Sequence, residues 1–170
     1  HLDIIERARR WFDRVLVAIG RSPNSGNIGV DRTGITLDER GFIEVDDRMR
    51  TGDPSIFAIG DVVGGAMLAH KAMHEGKVAA EAIAGLPAAF DVQAIPAVVY
   101  TDPQIAWCGL TEEEARSRNR PVKVTRFPWS ASGRAASLGL TRGMTKLIVD
   151  PESQRVLGMG IVGRDAGELI

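Results

Sequence analysis

The carboxylate of Asp61 follows directly on an apolar run, a placement that suits ligand binding. The stretch IFAIGD puts Gly60 and Asp61 immediately after the four apolar residues 56–59. An ionised aspartate only accepts hydrogen bonds, so it suits ligand hydroxyls such as those of a ribose or ribityl chain. Gly60 has no side chain, which lets a ligand approach the backbone closely. Taken alone, however, Asp61 is equally well explained as a turn or capping aspartate.

A helix predicted over residues 68–84 would direct its N-terminus toward the same place. Its dipole and its free N–H groups favour electron-rich or anionic atoms there. Ala72, Gly76, Ala80 and Ala84 recur every four residues and therefore share one face of that helix. Such a row of small residues indicates close approach by another helix or by a flat ring, and the pattern alone does not separate the two.

Two further groups of side chains could suit metal or redox chemistry, but each has a simpler interpretation. His70 and His74 are four residues apart, yet no third ligand and no HExxH pattern accompany them. Cys108 is the only cysteine and lies in the apolar run IAWCG, so a small buried hydrophobic residue explains it better than a redox centre. We therefore predict no metal site here and no redox role for Cys108.

The overall composition favours a globular protein that does not bind nucleic acid or membranes. Phe127, Trp129 and Arg134 bring aromatic and basic side chains together, but the formal net charge is −1, so a role in a core or an interface is the better interpretation. Hydrophobic residues make up 44% of the chain and charged residues 25%. No apolar run approaches the roughly 20 residues that cross a bilayer. A single cysteine fits a reducing compartment, and we expect a cytoplasmic protein.

The first half of the chain predicts pieces of an open α/β sheet. Residues 14–19 (RVLVAI) and 56–60 (IFAIG) are short apolar runs ending in glycine, typical of buried strands. Residues 42–45 alternate in polarity and predict a short edge strand. The helix over residues 68–84 ends at Gly85, a common C-terminal helix residue.

From about residue 90 the pattern changes to that of an antiparallel sheet with helices. A strand, a turn at Asp102-Pro103 and a second strand are followed by a helix, for which Thr111 and Glu114 form a capping box. PVKVTRF alternates as a strand, and GMTKLIVDPESQRVLGMGIVG predicts a hairpin that turns at DPESQ. This half is therefore expected to be α+β, with a boundary near residues 85–95.

Both ends of the sequence suggest that it is a piece of a longer protein. It starts at His1 and enters patterned sequence at once. The ending RDAGELI predicts a helix start, with Asp165 as N-cap and Glu168 closing a capping box. Because one helical turn does not offset its nucleation cost, we expect further chain beyond Ile170.

The combination of these stretches resembles a known family. IFAIGDVVGGAMLAHKAMHEGKVAAEAIAG is similar to the second FAD-binding motif of the flavoprotein disulfide reductases. FDRVLVAIGRSPN resembles the end of their NAD-binding domain, and AIPAVVYTDPQIAWCGLTEEEA, FPWSASGRA and the predicted hairpin resemble their interface domain. The similarity covers essentially the whole chain. Within the family, MLAHKA followed by EG is typical of members that reoxidise dihydrolipoamide.

The resemblance implies a fold and a division into domains. The fold would be an α/β remnant of the FAD- and NAD-binding domains plus an α+β interface (dimerisation) domain with an antiparallel sheet. Residues 1–30 would end the NAD-binding domain, and residues 31–90 would form the C-terminal part of the FAD-binding domain. Residues 91–170 would form the interface domain, truncated at its C-terminus.

The implied cofactors are FAD and NAD. Asp61, beside Gly60, would hydrogen-bond the ribityl or ribose hydroxyls of FAD. Gly20 would lie near the NAD site, where Arg21 and Pro23 shape the loop. The residues expected at the helix N-terminus, with backbone N–H groups near the pyrimidine side of the flavin, are Met67, Leu68, Ala69 and His70.

The resemblance also implies an activity for the intact protein. It would be a homodimer, formed through residues from about 93 onward, that passes electrons from dihydrolipoamide through a cysteine disulfide and FAD to NAD. Its partners would be the lipoyl-bearing proteins of 2-oxo acid dehydrogenase complexes. The resemblance places the family's first FAD motif (a GxGxxG after a strand), its CxxxxC pair and its NAD-binding GxGxxG upstream of residue 1, and its His-Pro…Glu pair beyond Ile170. The chain alone is therefore predicted to be inactive.

Two alternatives remain open at this point. The intact protein could be another disulfide reductase, such as a mercuric reductase or a soluble transhydrogenase, although AHKA argues against those. The chain by itself could instead serve only as a non-catalytic dimerisation or scaffold module.

Overall fold

The computed structural model describes residues 12–170. The first part of the predicted segment 1–30 lies outside the described residues. None of the helices between residues 12 and 170 has the length and apolar character needed to cross a membrane.

A five-stranded antiparallel sheet organises the second half of the chain, as the sequence predicts. Its strands lie in the order β1-β2-β5-β4-β3, and every neighbouring pair is antiparallel. The β4–β5 hairpin turns where Asp150 Oδ1 accepts hydrogen bonds from the backbone N–H groups of Glu152 and Ser153. The strands are β1 (Ala97–Val99), β2 (Gln104–Gly109), β3 (Lys123–Pro128), β4 (Met144–Val149) and β5 (Val156–Gly163).

Four α-helices accompany the sheet and the preceding segment within residues 12–170. The longest, α1, begins within one residue of its predicted start and ends just before Gly85, whose φ of +76° suits a glycine at the C-terminal end of a helix. The helices are α1 (Ala69–Ile83), α2 (Glu112–Ser117), α3 (Gly133–Ser137) and α4 (Ala166–Leu169). The sequence analysis did not predict α3.

One face of the sheet forms a core with α4. Ala106 of β2 lies opposite Ile161 of β5, and both pack with Ala166 at the start of α4. Trp129 borders this cluster, and its Nε1 donates to Thr145 Oγ1 at 3.1 Å. A side chain at Gly163 would collide with the Trp129 ring, so this glycine makes room for the indole. Of the three residues for which the sequence predicts a role in a core or an interface, Trp129 packs against this core, whereas Phe127 is 50% exposed and Arg134 is exposed.

The α2 helix is fixed by its cap and by ion pairs. The predicted capping box is present: Glu114 N donates to Thr111 Oγ1, and Thr111 N donates to Glu114 Oε2. Glu112 Oε2 forms ion pairs with Arg126 Nη2 of β3 at 2.9 Å and with Lys146 Nζ of β4 at 3.4 Å. Buried Ala115 faces inward.

A second, smaller core lies under α1. Met49, Val78 and Ala79 are buried together, and Phe57 and Phe90 pack against them. Backbone pairing in this region is confined to isolated bridges, Leu37 with Ile43 and Arg50 with Phe57.

The two buried strands predicted in the first half are wrong for the described residues. Residues 14–19 form no strand, and Leu16 and Ile19 are 91% and 94% exposed. Within residues 56–60 only Phe57 has a bridge partner, and Ala58 N donates to Met49 O. An apolar run becomes a strand only when a neighbouring backbone satisfies its N–H and C=O groups, and residues 12–170 supply no such neighbour to residues 14–19.

The predicted cap of α4 is also wrong in detail. Asp165 occupies the N-cap position, but its φ of +57° directs it away from the helix and its side chain makes no capping bond. The carboxylate lies 3.7 Å from Arg164 instead. Gln104 Oε1 of β2 replaces it by accepting the Gly167 N–H at 3.0 Å. A residue distant in sequence therefore supplies the cap.

Candidate functional site

Gly60 and Asp61 begin a single turn of 3₁₀ helix, Gly60–Val63, directly in front of α1. Gly60 has a φ of +78°, a conformation that side-chain-bearing residues rarely adopt. A Cβ atom at Gly60 would also lie 3.3 Å from the Cβ of Ala72. Glycine is therefore required here both by the backbone conformation and by the close approach of α1.

The row of small residues on α1 partly explains this approach. Ala72 lies against Gly60, and a side chain at Gly76 would lie 3.3 Å from Ile59 Cδ1. Ala80 and Ala84, farther along the row, are exposed. The first half of the row therefore packs on the backbone that carries Asp61, which favours the packing interpretation for those two positions.

The carboxylate of Asp61 is held on one side only. Arg21 Nη1 donates to Asp61 Oδ2 at 3.2 Å and to the Met67 carbonyl oxygen at 3.0 Å. Oδ1 of Asp61 receives no hydrogen bond from residues 12–170, and about half of the side chain is exposed. The arginine also brings the exposed Gly20 loop beside Asp61 and Met67. One carboxylate oxygen thus remains able to accept from a ligand hydroxyl.

The N-terminus of α1 offers unpaired donors. Leu68 is the N-cap and provides no side-chain hydrogen bond to the helix. The backbone N–H groups of Ala69, His70 and Lys71 find no acceptor within the described part of the chain. Because these groups and the helix dipole favour electron-rich atoms, they suit the acceptor atoms of a heterocyclic ring.

His70 links this helix start to the segment before the sheet. Its Nε2 lies 2.8 Å from the Pro96 carbonyl oxygen. A carbonyl oxygen only accepts, so Nε2 carries the proton in this contact. His74, one turn later, packs edge-on against Phe90 with 5.3 Å between ring centroids. The two histidines therefore engage different partners.

A buried ion pair that was not predicted from the sequence lies behind the turn. Glu75 Oε2 accepts the Gly60 N–H at 2.7 Å, and Lys71 Nζ lies 2.5 Å from Glu75 Oε1. Both side chains are buried. Their positions in the sequence gave a usable indication, because Lys71, Glu75, Val78 and Ala82 are spaced as one helix face and the last two are apolar.

The sequence-predicted site residues fall into one region. Gly60, Asp61 and the residues of the α1 N-terminus adjoin each other, and Arg21 ties the Gly20 loop to them. Their binding roles stay predictions. Cys108 lies half-buried on β2, away from this turn in sequence and in a different element.

Two family models match the chain. The dimerisation domain of the pyridine nucleotide-disulphide oxidoreductases matches residues 95–170, and the pyridine nucleotide-disulphide oxidoreductase domain matches residues 7–76.

Similar proteins identified by sequence and by structure are consistent with those family matches. The dihydrolipoyl dehydrogenase of Vibrio parahaemolyticus is 54% identical over 94% of this chain and 34% of its own length. That of Haemophilus influenzae is 53% identical over 94% of this chain and 33% of its own length. The HOCl-induced flavoprotein disulfide reductase RclA from Escherichia coli, in its Cu(II) complex, superposes with a TM-score of 0.86 at 32% identity, covering 96% of this chain and 38% of that one. The chain thus spans about a third of the length of the curated relatives it matches.

Proposed function

The chain belongs to the pyridine nucleotide-disulphide oxidoreductases, and we propose that the intact protein is an FAD-dependent enzyme that reoxidises dihydrolipoamide with NAD. The observation that carries this proposal is the 54% identity to a dihydrolipoyl dehydrogenase over 94% of the chain, which includes the Gly60–Asp61 turn and the start of α1. The overall reaction converts dihydrolipoamide and NAD⁺ to lipoamide, NADH and a proton.

The geometry of the turn fits FAD. Asp61 Oδ1 is free to accept a ribityl or ribose hydroxyl, while Arg21 holds the other carboxylate oxygen. The unpaired N–H groups of Ala69, His70 and Lys71 fit the carbonyl and ring-nitrogen acceptors of an isoalloxazine. FAD, when bound, would relay an electron pair between a disulfide and the nicotinamide. In this proposal the residues of this chain bind and orient FAD. They do not supply the disulfide, because a single cysteine cannot form one within the chain.

The second cofactor, NAD, is proposed to bind beside Gly20. Arg21, the next residue, contacts both Asp61 and Met67. One side chain therefore connects the proposed NAD-side loop to the proposed FAD-side turn, and this supports the assignment of the two segments to neighbouring cofactors.

We propose a homodimer formed through residues from about 93 onward. The match of residues 95–170 to a dimerisation domain supports it. The sheet face opposite α4 also carries exposed apolar side chains, including Val99, Ile105 and Trp107. The proposed partners in electron transfer are the lipoyl-bearing proteins of 2-oxo acid dehydrogenase complexes.

A second candidate is a disulfide reductase with another substrate. The TM-score of 0.86 to RclA of Escherichia coli, a flavoprotein disulfide reductase, supports this second candidate. The segment MLAHKA, which resembles dihydrolipoamide-oxidising members, supports the first candidate over it.

Purified full-length protein tests these candidates. Its flavin is identified after denaturation, and NAD⁺ reduction is followed with dihydrolipoamide and with a free lipoyl domain in its reduced, dihydrolipoyl form as alternative substrates. We expect bound FAD and rapid NADH formation with both substrates. A protein that retains FAD but fails to oxidise dihydrolipoamide supports the second candidate, whereas a protein that binds no flavin contradicts both.

A further inference from the structure

Lys71 and Glu75 are the buried charged side chains of the described part of the chain. They are 7% and 2% exposed, and among residues 12–170 the other buried polar side chain is that of Ser25. Removing charges from water is costly unless they are paired and hydrogen-bonded. Their burial therefore needs an explanation beyond ordinary helix packing.

The two carboxylate oxygens of Glu75 have different partners. Oε1 of Glu75 faces the Lys71 ammonium at 2.5 Å, and Oε2 accepts the Gly60 N–H at 2.7 Å. Lys71 has three N–H donors, but Nζ makes no well-oriented hydrogen bond within residues 12–170. The ammonium therefore acts mainly as a countercharge for Glu75, and the directed contact is the hydrogen bond that the Gly60 N–H donates to Glu75.

Stability alone does not account for this arrangement. Well-packed apolar residues in place of a buried ion pair are often as stable or more stable. The same helix carries an exposed pair at the same spacing, Lys77 and Glu81, at 3.9 Å. That pair touches no backbone group of the turn, so it shows what an i, i+4 pair without such a contact looks like in α1.

We propose that Glu75 is a positioning residue for the flavin site: its Oε2 accepts the Gly60 N–H and thereby helps to set the direction of Asp61, while the Lys71 ammonium lies against its other oxygen. The proposal rests on the proposed function, since it assumes that Asp61 binds FAD. A hydrogen bond donated to a charged acceptor is shorter and stronger than a neutral one. Here it fixes the peptide plane between Ile59 and Gly60, and the φ of Gly60, +78°, lies outside the range that other residues favour.

Two neutral double variants of the full-length protein separate positioning from stability. K71M/E75Q retains an amide oxygen that can accept the Gly60 N–H, whereas K71M/E75L removes the acceptor at similar volume. We expect the FAD dissociation constant to rise about tenfold more in the Leu variant than in the Gln variant. A tenfold change corresponds to the net free energy of about one hydrogen bond. The visible circular dichroism of the bound flavin should change in the Leu variant only. Equal FAD binding in two folded variants overturns the proposal.

A matched control and a second variant guard against misfolding. K77M/E81L makes the same changes at the exposed pair, and FAD binding should stay within about twofold of wild type, as expected for a surface pair. Glu75→Asp keeps the charge but withdraws the carboxylate from Gly60 by about one methylene, so FAD should again bind more weakly, and unchanged binding overturns the proposal. Wild-type protein that binds no FAD overturns the proposed function instead.

Discussion

At the scale of single residues, the site depends on a carboxylate with one committed oxygen and one free oxygen. Arg21 holds Asp61 Oδ2 and the Met67 carbonyl, and Glu75 holds the preceding amide of Gly60. The Asp61 carboxylate is therefore restrained by Arg21 on one side, and the backbone before it is restrained by Glu75, although the Asp61 side chain is half exposed. A preoriented acceptor loses less conformational freedom on binding, which favours retention of a ligand.

The first prediction concerns Asp61 itself. Asp61→Ala in the full-length protein should weaken FAD retention by roughly 1–3 kcal/mol, because a ligand hydroxyl loses its acceptor. Dialysis followed by measurement of flavin per protein checks this. Asp61→Asn, which keeps one acceptor oxygen, is the control and should retain more FAD. Unchanged flavin content in the Ala variant would contradict the role given to Asp61.

At the scale of secondary structure, α2 depends on local polar contacts. Thr111 and Glu114 satisfy each other's backbone N–H groups, and Glu112 connects the helix to β3 and β4. With only six residues, this helix is too short to be stable alone, so these contacts and buried Ala115 hold it in place.

The second prediction removes the cap. Thr111→Ala should lower the free energy of unfolding by about 1 kcal/mol, since the N–H of Glu114 loses its acceptor. Denaturant unfolding of the full-length protein measures it. Thr111→Ser keeps the hydroxyl and should be close to wild type. An Ala variant as stable as the Ser variant would mean that the cap adds nothing.

The third prediction concerns acid stability. The hydrogen bond from Lys146, with the charges of Lys146, Arg126 and Arg116, lowers the pKa of Glu112 below its usual 4.5. A lowered folded-state pKa stabilises the protein above pH 4.5, and this contribution disappears as the pH falls through the folded-state pKa. Glu112→Gln should therefore be less stable than wild type at neutral pH, and the difference should vanish in acid.

Unfolding curves for wild type and Glu112→Gln across this pH range test the prediction. High salt should reduce the difference at neutral pH, because the groups involved are accessible to solvent. Glu113→Gln, on the same first turn of α2, makes none of these ion pairs and is the control. A constant difference at all pH values would show that ionisation of Glu112 is not the cause.

At the largest scale, residues 12–170 contain two clusters of buried hydrophobic residues. One lies under α1 around Met49, Val78 and Ala79, and the other lies on the sheet around Ala106, Ile161 and Ala166. The contact from His70 to Pro96 joins the helix of the first core to the segment entering β1. The proposed cofactor-binding turn thus precedes α1, the helix of the first core. Through His70 this helix also contacts the segment that leads into the proposed dimerisation sheet.

The fourth prediction follows from the content of the whole chain. The 170-residue chain on its own should reduce no lipoamide, because its one cysteine cannot supply an internal dithiol–disulfide couple. A sample of verified mass, assayed with NADH, lipoamide and added FAD, checks this against the full-length protein. Flavin-dependent turnover by the chain alone would contradict it.

The sequence by itself determined the features that depend on neighbours along the chain. The Thr111–Glu114 capping box, the limits of α1 before Gly85 and the hairpin at Asp150 are set by residues a few positions apart, and all three are present. The antiparallel sheet followed from alternating polarity together with the family resemblance. Local hydrogen bonding needs no tertiary context, which is why such patterns are legible in a sequence.

Only the tertiary structure decided which distant groups meet. Residues 14–19 and 56–60 have the composition of strands, but strand formation requires a neighbouring backbone, and only Phe57 of these residues has a bridge partner. Gln104 rather than Asp165 caps α4, because chain folding brings an acceptor 63 positions away to the Gly167 N–H. Likewise, Glu75 meets Gly60 only because α1 packs on the turn through Ala72. Periodicity placed Lys71 and Glu75 on one helix face, and the packing of that face determined that they are buried.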